Sequence, residues 1–386
     1  MKRLAIVATH PIQYNVPWFR RLAVQEGIEV CVFYTWHADE KAKYDPHFDR
    51  EIAWDIPLLN GYDYQLVAPR PTVKQKTFWN LNSDITGPIK AWGADAILVL
   101  GWNYRSHLRA MRYFSGRIPV YFRGDSTLLD TQNGIRRRLR KIFLRYVYSC
   151  VDTAFFVGIN NYDYFQKYGL NKNQLTFAPH AIDNQRFSND AIAHETEANR
   201  WRTSLGNPAD SVVFLFVGKL IQKKSPEILL RAFQKLPHKN KQHLIFVGDG
   251  ECEADLKKQA SNAANVHFVP FQNQSRMPVV YRLGDVMCLP SAGPGETWGL
   301  AVNEAMASGR TVIVSDKVGC ARDLVADESI GHIHKANSVE SLYAAMQKCC
   351  ERNRLLLKGT HCGRFIDRWS CEQLAANIGN KLRSAA

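Results

Sequence analysis

The stretch Asp285–Gly309, DVMCLPSAGPGETWGLAVNEAMASG, constrains the fold more than any other part of the chain. Asp285–Pro290 is a short apolar run of the kind that forms a buried strand, and the small-residue loop Ser291–Gly295 follows it. Glu296–Ser308 then reads as a helix. A loop that leaves a strand and opens a helix through Gly299 presents unpaired backbone N–H groups and the positive end of the helix dipole, a natural seat for phosphate. On such a helix Glu296 and Glu304 lie two turns apart and, at about 100° per residue, about 80° from each other around the axis, so both look toward one ligand. Carboxylates do not bind phosphate but accept hydrogen bonds from hydroxyls. A ligand with phosphates in the middle and hydroxyls on both sides is a nucleotide sugar. The competing reading makes Glu296 and Glu304 ordinary solvated helix glutamates.

With 386 residues, 46% of them apolar, two domains of ordinary size can each build a core. No apolar run is long enough to span a bilayer, and the start, MKRLAIVATHP, reads as a first buried strand and not as a signal peptide. Nine cysteines without a Cys-x-x-Cys spacing fit reduced thiols of a cytosolic protein and indicate neither a disulfide framework nor a zinc site. The net charge of +14 favours anionic partners. Its densest source is IRRRLRKIFLRY, Ile135–Tyr146. There Ile135, Leu139, Ile142, Phe143 and Tyr146 recur at helical spacing, and Arg136, Arg137, Arg140, Lys141 and Arg145 fall mostly on other faces. A helix of this kind either lies on an anionic membrane surface through Arg136–Arg145 or packs on a core with a solvated basic face. No nucleic-acid reader motif accompanies the charge, so no nucleic acid is expected.

The first half alternates strand and helix patterns, the signature of a parallel sheet with crossover helices. Leu4–Thr9, Val30–Tyr34, Ala96–Leu100, Val120–Phe122 and Thr153–Val157 read as strands, and Val16–Gln25, Arg105–Phe114 and Arg136–Ser149 as helices. Asp45–Pro71, aromatic and Pro-studded, reads as an irregular excursion that either covers an acceptor site or is a structural surface loop. Ligands of open parallel sheets gather at the carboxyl ends of the strands, which singles out His10–Asn15, Gly101–His107 and Arg123–Ser126. His10 and Gln13 are candidates for a phosphate or an acceptor hydroxyl. Arg123 is a candidate anion partner, and Asp125 is either a base for an acceptor hydroxyl or a turn residue.

Polar residues from Ser188 to Asp210 mark the boundary, giving domains of 1–187 and 188–365. In the second, the strand Ser211–Val217 precedes GKLIQKKSPEILLRAF. Gly218 allows close backbone approach, and Lys219 and Lys224 reach a diphosphate from the loop and the helix start. Lys223 reads as solvated. Cations placed at a departing phosphate act on the transition state of glycosyl transfer more than on the ground state. No Asp-x-Asp occurs in the chain, which agrees with chemistry that needs no metal. Gly248-Asp249-Gly250 fails as a dinucleotide fingerprint because Glu253 stands at the third glycine position.

Pro290-Ser291, Glu296-Thr297-Trp298-Gly299-Leu300 and Glu304-Ala305-Met306-Ala307 resemble the Pro-Ser loop, Glu-x-Phe/Trp-Gly-Leu turn and Glu-Ala-Met-Ala of the family 4 retaining glycosyltransferases. The resemblance runs from about Val151 onward. It implies an α/β, GT-B chain of two Rossmann-like domains facing each other across a cleft, with a C-terminal helix, about 366–386, packing back on the first domain. It also implies a metal-independent hexosyltransferase without cofactor, taking a UDP- or GDP-sugar to a hydroxyl acceptor, saccharide or lipid-linked, in polysaccharide or glycolipid assembly. The setting would be cytoplasmic, peripheral on the inner membrane face. Lys219 and Lys224 resemble the family's diphosphate pair. Glu304 would meet the ribose hydroxyls, Glu296 the transferred sugar, and Gly218, Gly248, Phe271, Gly299 and Leu300 the rest of the donor. The first domain departs from the pattern: His10-Pro11-Ile12-Gln13 replaces a Gly-Gly turn, and Leu98 and Leu100 stand where many members carry a histidine. Cys320 likewise replaces one glycine of a Gly-Gly helix start. Two other readings stay open, a same-fold epimerase or phosphorylase and a non-catalytic membrane- or nucleic-acid-binding protein.

Overall fold

The computed structural model describes residues 1–36, 43–45, 50–67, 84–130, 134–237, 241–325 and 327–384. They belong to two compact units, Met1–Ala42, Ile56–Ala181 and Ser370–Ala386 in the first, and Lys43–Asp55 with Ile182–Trp369 in the second. The strands of the first half of the chain are β1 (Lys2–Ala8), β2 (Ile28–Tyr34), β3 (Lys43–Asp45), β4 (Arg50–Ile52), β5 (Asp63–Leu66), β6 (Ala96–Leu100), β7 (Val120–Arg123), β8 (Thr153–Phe156) and β9 (Leu175–Phe177). Those of the second are β10 (Val212–Val217), β11 (Gln242–Val247), β12 (Val266–Val269), β13 (Val286–Leu289), β14 (Thr311–Ser315) and β15 (Gly331–His334).

Among the described residues the first unit holds one parallel sheet in the order β5-β2-β1-β6-β7-β8-β9. A parallel sheet with crossover helices is covered on both faces, so its strands carry continuous apolar runs. In β1, Leu4, Ile6 and Ala8 pack on Val16, Trp18, Phe19 and Leu22 of the helix Val16–Ala23 and on Leu374, Ile378 and Leu382 of the helix Cys371–Ser384. Ala5 and Val7 point the other way, onto the helices Arg105–Phe114, Ile135–Tyr148 and Ile159–Lys167. Arg21 pairs with Glu372 at 2.8 Å, and Asn377 donates to the Phe177 carbonyl at 3.0 Å, which fixes the last helix on this unit.

The second unit has a parallel sheet in the order β12-β11-β10-β13-β14-β15. Chain order runs outward from β10 in one direction and from β13 in the other. The carboxyl ends of these two adjacent strands therefore diverge into different loops and leave a crevice at the switch point. In the first unit β1 and β6 form the corresponding pair.

Three expectations need correction. The helix expected over Glu296–Ser308 runs only from Leu300 to Ala307, because Gly299 before it takes φ +97°, a left-handed conformation that interrupts the helix. Glu296 thus sits in the preceding turn, and its spacing from Glu304 does not follow the helical wheel. The excursion expected over Asp45–Pro71 contains β5, an edge strand parallel to β2. All four residues of β5 are exposed, so no apolar run announced it. Positions 46–49 and 68–71 lie outside the described residues. On the basic helix, finally, the buried face is Leu144, Val147 and Tyr148, whereas Leu139, Ile142, Phe143 and Tyr146 are 63, 69, 40 and 50% exposed. The side chains of Ile135, Arg136 and Arg137 lie outside the described residues.

Buried His107 ties the switch-point loops of the first unit together. Its Nδ1 lies 2.9 Å from the Gly101 carbonyl, which can only accept, so this nitrogen carries the proton, and Nε2 faces the Thr35 hydroxyl at 3.2 Å. Burial pushes its pKa down to about 4. A histidine depressed in the folded state stabilises fully above its unfolded pKa of about 6.5, and that contribution is lost as pH falls through the folded value. Denaturant titrations between pH 7 and pH 4 should therefore show a loss of stability, of which a share on the order of 3 kcal/mol disappears in His107→Gln.

Candidate active site

The loops at the carboxyl ends of β10, β11, β12, β13 and β14 converge through backbone contacts that only small residues permit. Gly218 follows β10 with φ +146°, and Gly248 follows β11 so closely that a Cβ there would lie 2.1 Å from the Gly218 carbonyl oxygen. The Gly218 N–H donates to Val247 O at 3.0 Å and the Leu220 N–H to Asp249 O at 2.9 Å, so the two loops run as one layer. Asp249 in turn accepts the Phe271 N–H at 3.0 Å, which places the residue after β12 beside them. That bond occupies the main-chain N–H of Phe271, one of the residues expected at the donor.

Across the switch point, the loop after β13 leans on the turn that carries the lysines. The N–H groups of Ala292 and Gly293 both donate to the Lys223 carbonyl, at 3.0 and 3.1 Å. Lys223 itself extends an exposed side chain, whereas Lys224 is half-buried and its ammonium pairs with the Glu296 carboxylate. The same carboxylate oxygen of Glu296 accepts the Ser291 hydroxyl at 2.9 Å. Glu296 is only 8% exposed. A buried carboxylate needs such partners, because desolvating it alone would cost several kcal/mol.

The turn bearing Glu296 is clamped from behind by the loop after β14. The Gly319 N–H donates to Glu296 O and the Cys320 N–H to Trp298 O, both at 3.0 Å. A Cβ on Gly319 would fall 1.7 Å from Thr297 O, so no other residue fits. Cys320, in the place of a second glycine, is fully buried, and burial first and the Glu296 charge second push its thiol well above the usual range. Trp298 donates its indole N–H to Asn303 at 2.8 Å, which fixes the turn to the helix Leu300–Ala307.

Glu304, on that helix and 2% exposed, accepts the Tyr281 hydroxyl at 2.6 Å, with the Arg186 guanidinium 3.9 Å from its other oxygen. Arg186 also donates to Gln274 at 2.9 Å. Lys219 is half-buried in the turn after Gly218, its carbonyl accepting the Ile221 N–H. The structure therefore joins Lys224, Glu296 and Ser291 directly, and Gly218 with Gly248. Glu304 belongs to a separate cluster with Tyr281 and Arg186. Ser291, Tyr281 and Arg186 were not marked as functional. Ser291 stood inside the motif and could have been, but Tyr281 and Arg186 are distant in sequence from Glu304, and no periodicity joins them to it.

In the first unit, His10 Nδ1 meets its neighbour Thr9 Oγ1 at 2.8 Å, and Gln13 is half-buried in the same loop. Arg123, expected as an anion partner, is 7% exposed and donates to the carbonyls of Ala178 and Pro179 at 2.7 and 2.8 Å. It braces the backbone there, and burial pushes it down to about 10. The Asp125 carboxylate is 47% exposed and lies 4.0 Å from His180. Among the described residues no three His, Cys, Asp or Glu side chains gather as a metal-ligand set.

Residues 197–359 match the family model of the glycosyl transferases, group 1. That span contains every donor-side candidate in the second unit. Relatives are glycosyltransferases: a D-inositol 3-phosphate glycosyltransferase of Xylanimonas cellulosilytica is 30% identical over 175 residues, 44% of this chain and 41% of its own length. The matched relatives are thus covered over about a third to two fifths of their length. Among solved structures, sucrose-phosphate synthase from Thermosynechococcus elongatus aligns over 99% of this chain and 98% of its own with a TM-score of 0.74 at 18% identity. Anabaena HepE, solved with UDP-glucose, aligns over 100% of both chains with a TM-score of 0.69 at 15% identity. The fold is GT-B, with two parallel-sheet Rossmann-like units.

Gly319→Ala should disrupt the Glu296 turn. A loss of about 3 kcal/mol, at the top of the usual range for a point change, is expected in thermal melting of the full chain.

Proposed function

We propose that the chain is a retaining, metal-independent hexosyltransferase that moves a sugar from a nucleotide diphosphate donor to a hydroxyl acceptor. The observation that carries the reading is the Lys224–Glu296–Ser291 cluster at the switch point of the second sheet, where an ammonium and a buried carboxylate share one small space. The group 1 match over the same residues and the glycosyltransferase relatives support it.

In this reading the diphosphate lies over Gly218 and Gly248, whose missing side chains leave the backbone open. The N-terminal N–H groups of the helix that Leu300 opens, with Gly299 before it, face the phosphates. As the sugar C1–O bond lengthens, negative charge grows on the leaving phosphate oxygen. Lys219 and Lys224 stabilise that charge, taking the part a divalent metal has elsewhere. Lys224 has three N–H donors, so it keeps Glu296 oriented while still donating to phosphate. Glu296 positions the transferred sugar by accepting from its hydroxyls, and the acceptor attacks from the face the leaving group departs. Glu304 accepts from the ribose hydroxyls, with Tyr281 and Arg186 holding its carboxylate. Phe271 lies on the base side, and the likeness in fold to Anabaena HepE, solved with UDP-glucose, favours a UDP-sugar over a GDP-sugar. His10, Gln13 and Asp125 stand at strand ends of the first unit as acceptor-side candidates, Arg123 bracing the loop beside them. An epimerase or phosphorylase would need further catalytic groups, which this cluster does not supply.

The acceptor is read as a lipid-linked or saccharide hydroxyl in polysaccharide or glycolipid assembly, with the protein peripheral on the cytoplasmic membrane face. The exposed Leu139, Ile142 and Tyr146, interleaved with exposed Arg138, Arg140, Lys141 and Arg145, favour this setting, since they pair an apolar edge with cationic flanks. No helix among the described residues is long and apolar enough to cross a membrane.

Thermal-shift and hydrolysis assays with UDP-, GDP- and ADP-sugars in EDTA test the reaction. One nucleotide sugar should stabilise the wild type and release free sugar slowly, and no response to any of them would remove the reading. Glu304→Ala should raise the donor KM about 10- to 150-fold, the scale of one charged hydrogen bond. Lys224→Ala should lower kcat about 100-fold or more. Flotation with phosphatidylglycerol vesicles at low salt should recover the wild type and lose Ile142→Glu; absence of wild-type association would end the membrane assignment.

A further inference from the structure

A second pocket in the same unit lies at the opposite, amino-terminal end of the sheet. Asp285 immediately precedes β13 and Arg310 immediately precedes β14, and both line a cavity of about 420 Å³. That is within the ordinary size of a small-molecule site, about 300–1,000 Å³. Its charge is not balanced. Asp285 is neutralised by the buried Arg202 at 3.1 Å. The guanidiniums of Arg282 and Arg310, 3 and 9% exposed, are left to share one carboxylate, that of Glu195, which is itself 36% exposed. Arg310 bonds Glu195, while Arg282 approaches it at 3.7 Å and gives its other donors to the carbonyls of Pro278 and Phe187.

Two buried polar atoms in this lining have no hydrogen-bond partner, Arg310 Nε and Ser308 Oγ. Leaving such groups unmade costs about 1–3 kcal/mol each, and more for a charged one, so the region around Arg310 is short of acceptors. Burial and the neighbouring Arg310 push Arg282 down to about 10, the expected response of a cation pair short of negative charge. Glu195 is thus a surface carboxylate standing where a more highly charged anion would satisfy both arginines. The opposite wall, from the helix Arg352–Ile366, is apolar at Leu355 and the exposed Leu356 and polar at Thr360, so it fits a carbon skeleton with hydroxyls.

We propose that this pocket binds the phosphomonoester of a small soluble metabolite, whose head displaces the Glu195 carboxylate between Arg310 and Arg282. Arginine suits such a head because its planar fork meets phosphate oxygens in pairs. The inference does not rest on the glycosyl-transfer reading, since it uses none of the residues assigned to the donor.

The test is isothermal titration of the full chain with glycerol 3-phosphate, with uncharged glycerol as control, in wild type, Glu195→Gln, Arg310→Gln and Lys224→Ala. Saturable binding is expected in wild type, about tenfold tighter in Glu195→Gln, lost in Arg310→Gln and unchanged in Lys224→Ala. Absence of binding in both wild type and Glu195→Gln overturns the proposal, as does equal affinity in the two or retention in folded Arg310→Gln. Loss in Lys224→Ala alone would assign the anion to the donor loops and overturn it too. If Arg310→Gln does not fold, the Glu195→Gln comparison decides by itself. Association with phosphatidic acid vesicles without any response to glycerol 3-phosphate would also overturn the soluble-metabolite assignment.

Discussion

The crevice of the second unit depends on backbone touching backbone. Gly319 lets the loop after β14 close on Thr297, and two main-chain hydrogen bonds then fix the turn that carries Glu296. Only with that turn in place does the Glu296 carboxylate reach both Ser291 and Lys224. The same device recurs between Gly248 and Gly218 on the other side of the switch point. Side-chain chemistry at the crevice is therefore set by positions that have no side chain. The ion pair supplies charge, and the glycines supply its coordinates.

Much of this was legible in the sequence, for a physical reason. A parallel sheet buried on both faces writes its strands as plain apolar runs, so Ala96–Leu100 and Val212–Val217 could be read almost to the residue. The motif around Glu296 and Glu304 carried the fold assignment. What it misled about was local geometry, since Gly299 suits a helix entry and a left-handed break equally well and only the packing against Leu289 and Val318 decides between them. Edge strand β5 was illegible because an exposed edge has no apolar run to show. Tyr281 and Arg186, which hold Glu304, come from distant segments that no local pattern links. Arg123 was misread because sequence reveals a charge but not the two carbonyls that consume it.

Cationic and imidazole side chains play two parts in this molecule. In the first unit, His107 and Arg123 are buried scaffolding at strand ends, each bonded to main-chain carbonyls. In the second, buried Arg282 is likewise bonded to two carbonyls, whereas half-buried Lys224 and buried Arg310 each sit against a single carboxylate, at opposite ends of the sheet. A cation satisfied by several fixed carbonyls is part of the frame, whereas one held by a single carboxylate depends on the placement of that one side chain.

The helix Cys371–Ser384 closes one face of the first unit's core, covering Trp18, Phe19 and Leu22 with Leu374, Ile378 and Leu382. Those partners are synthesised about 350 residues apart, so at ribosomal speeds of about 5–20 residues per second the earlier face waits about 20–70 s for its cover. During that interval the nascent chain carries an apolar stripe without its native cover. Closure of this core is thus a late event in synthesis, set by topology and not by marginal stability.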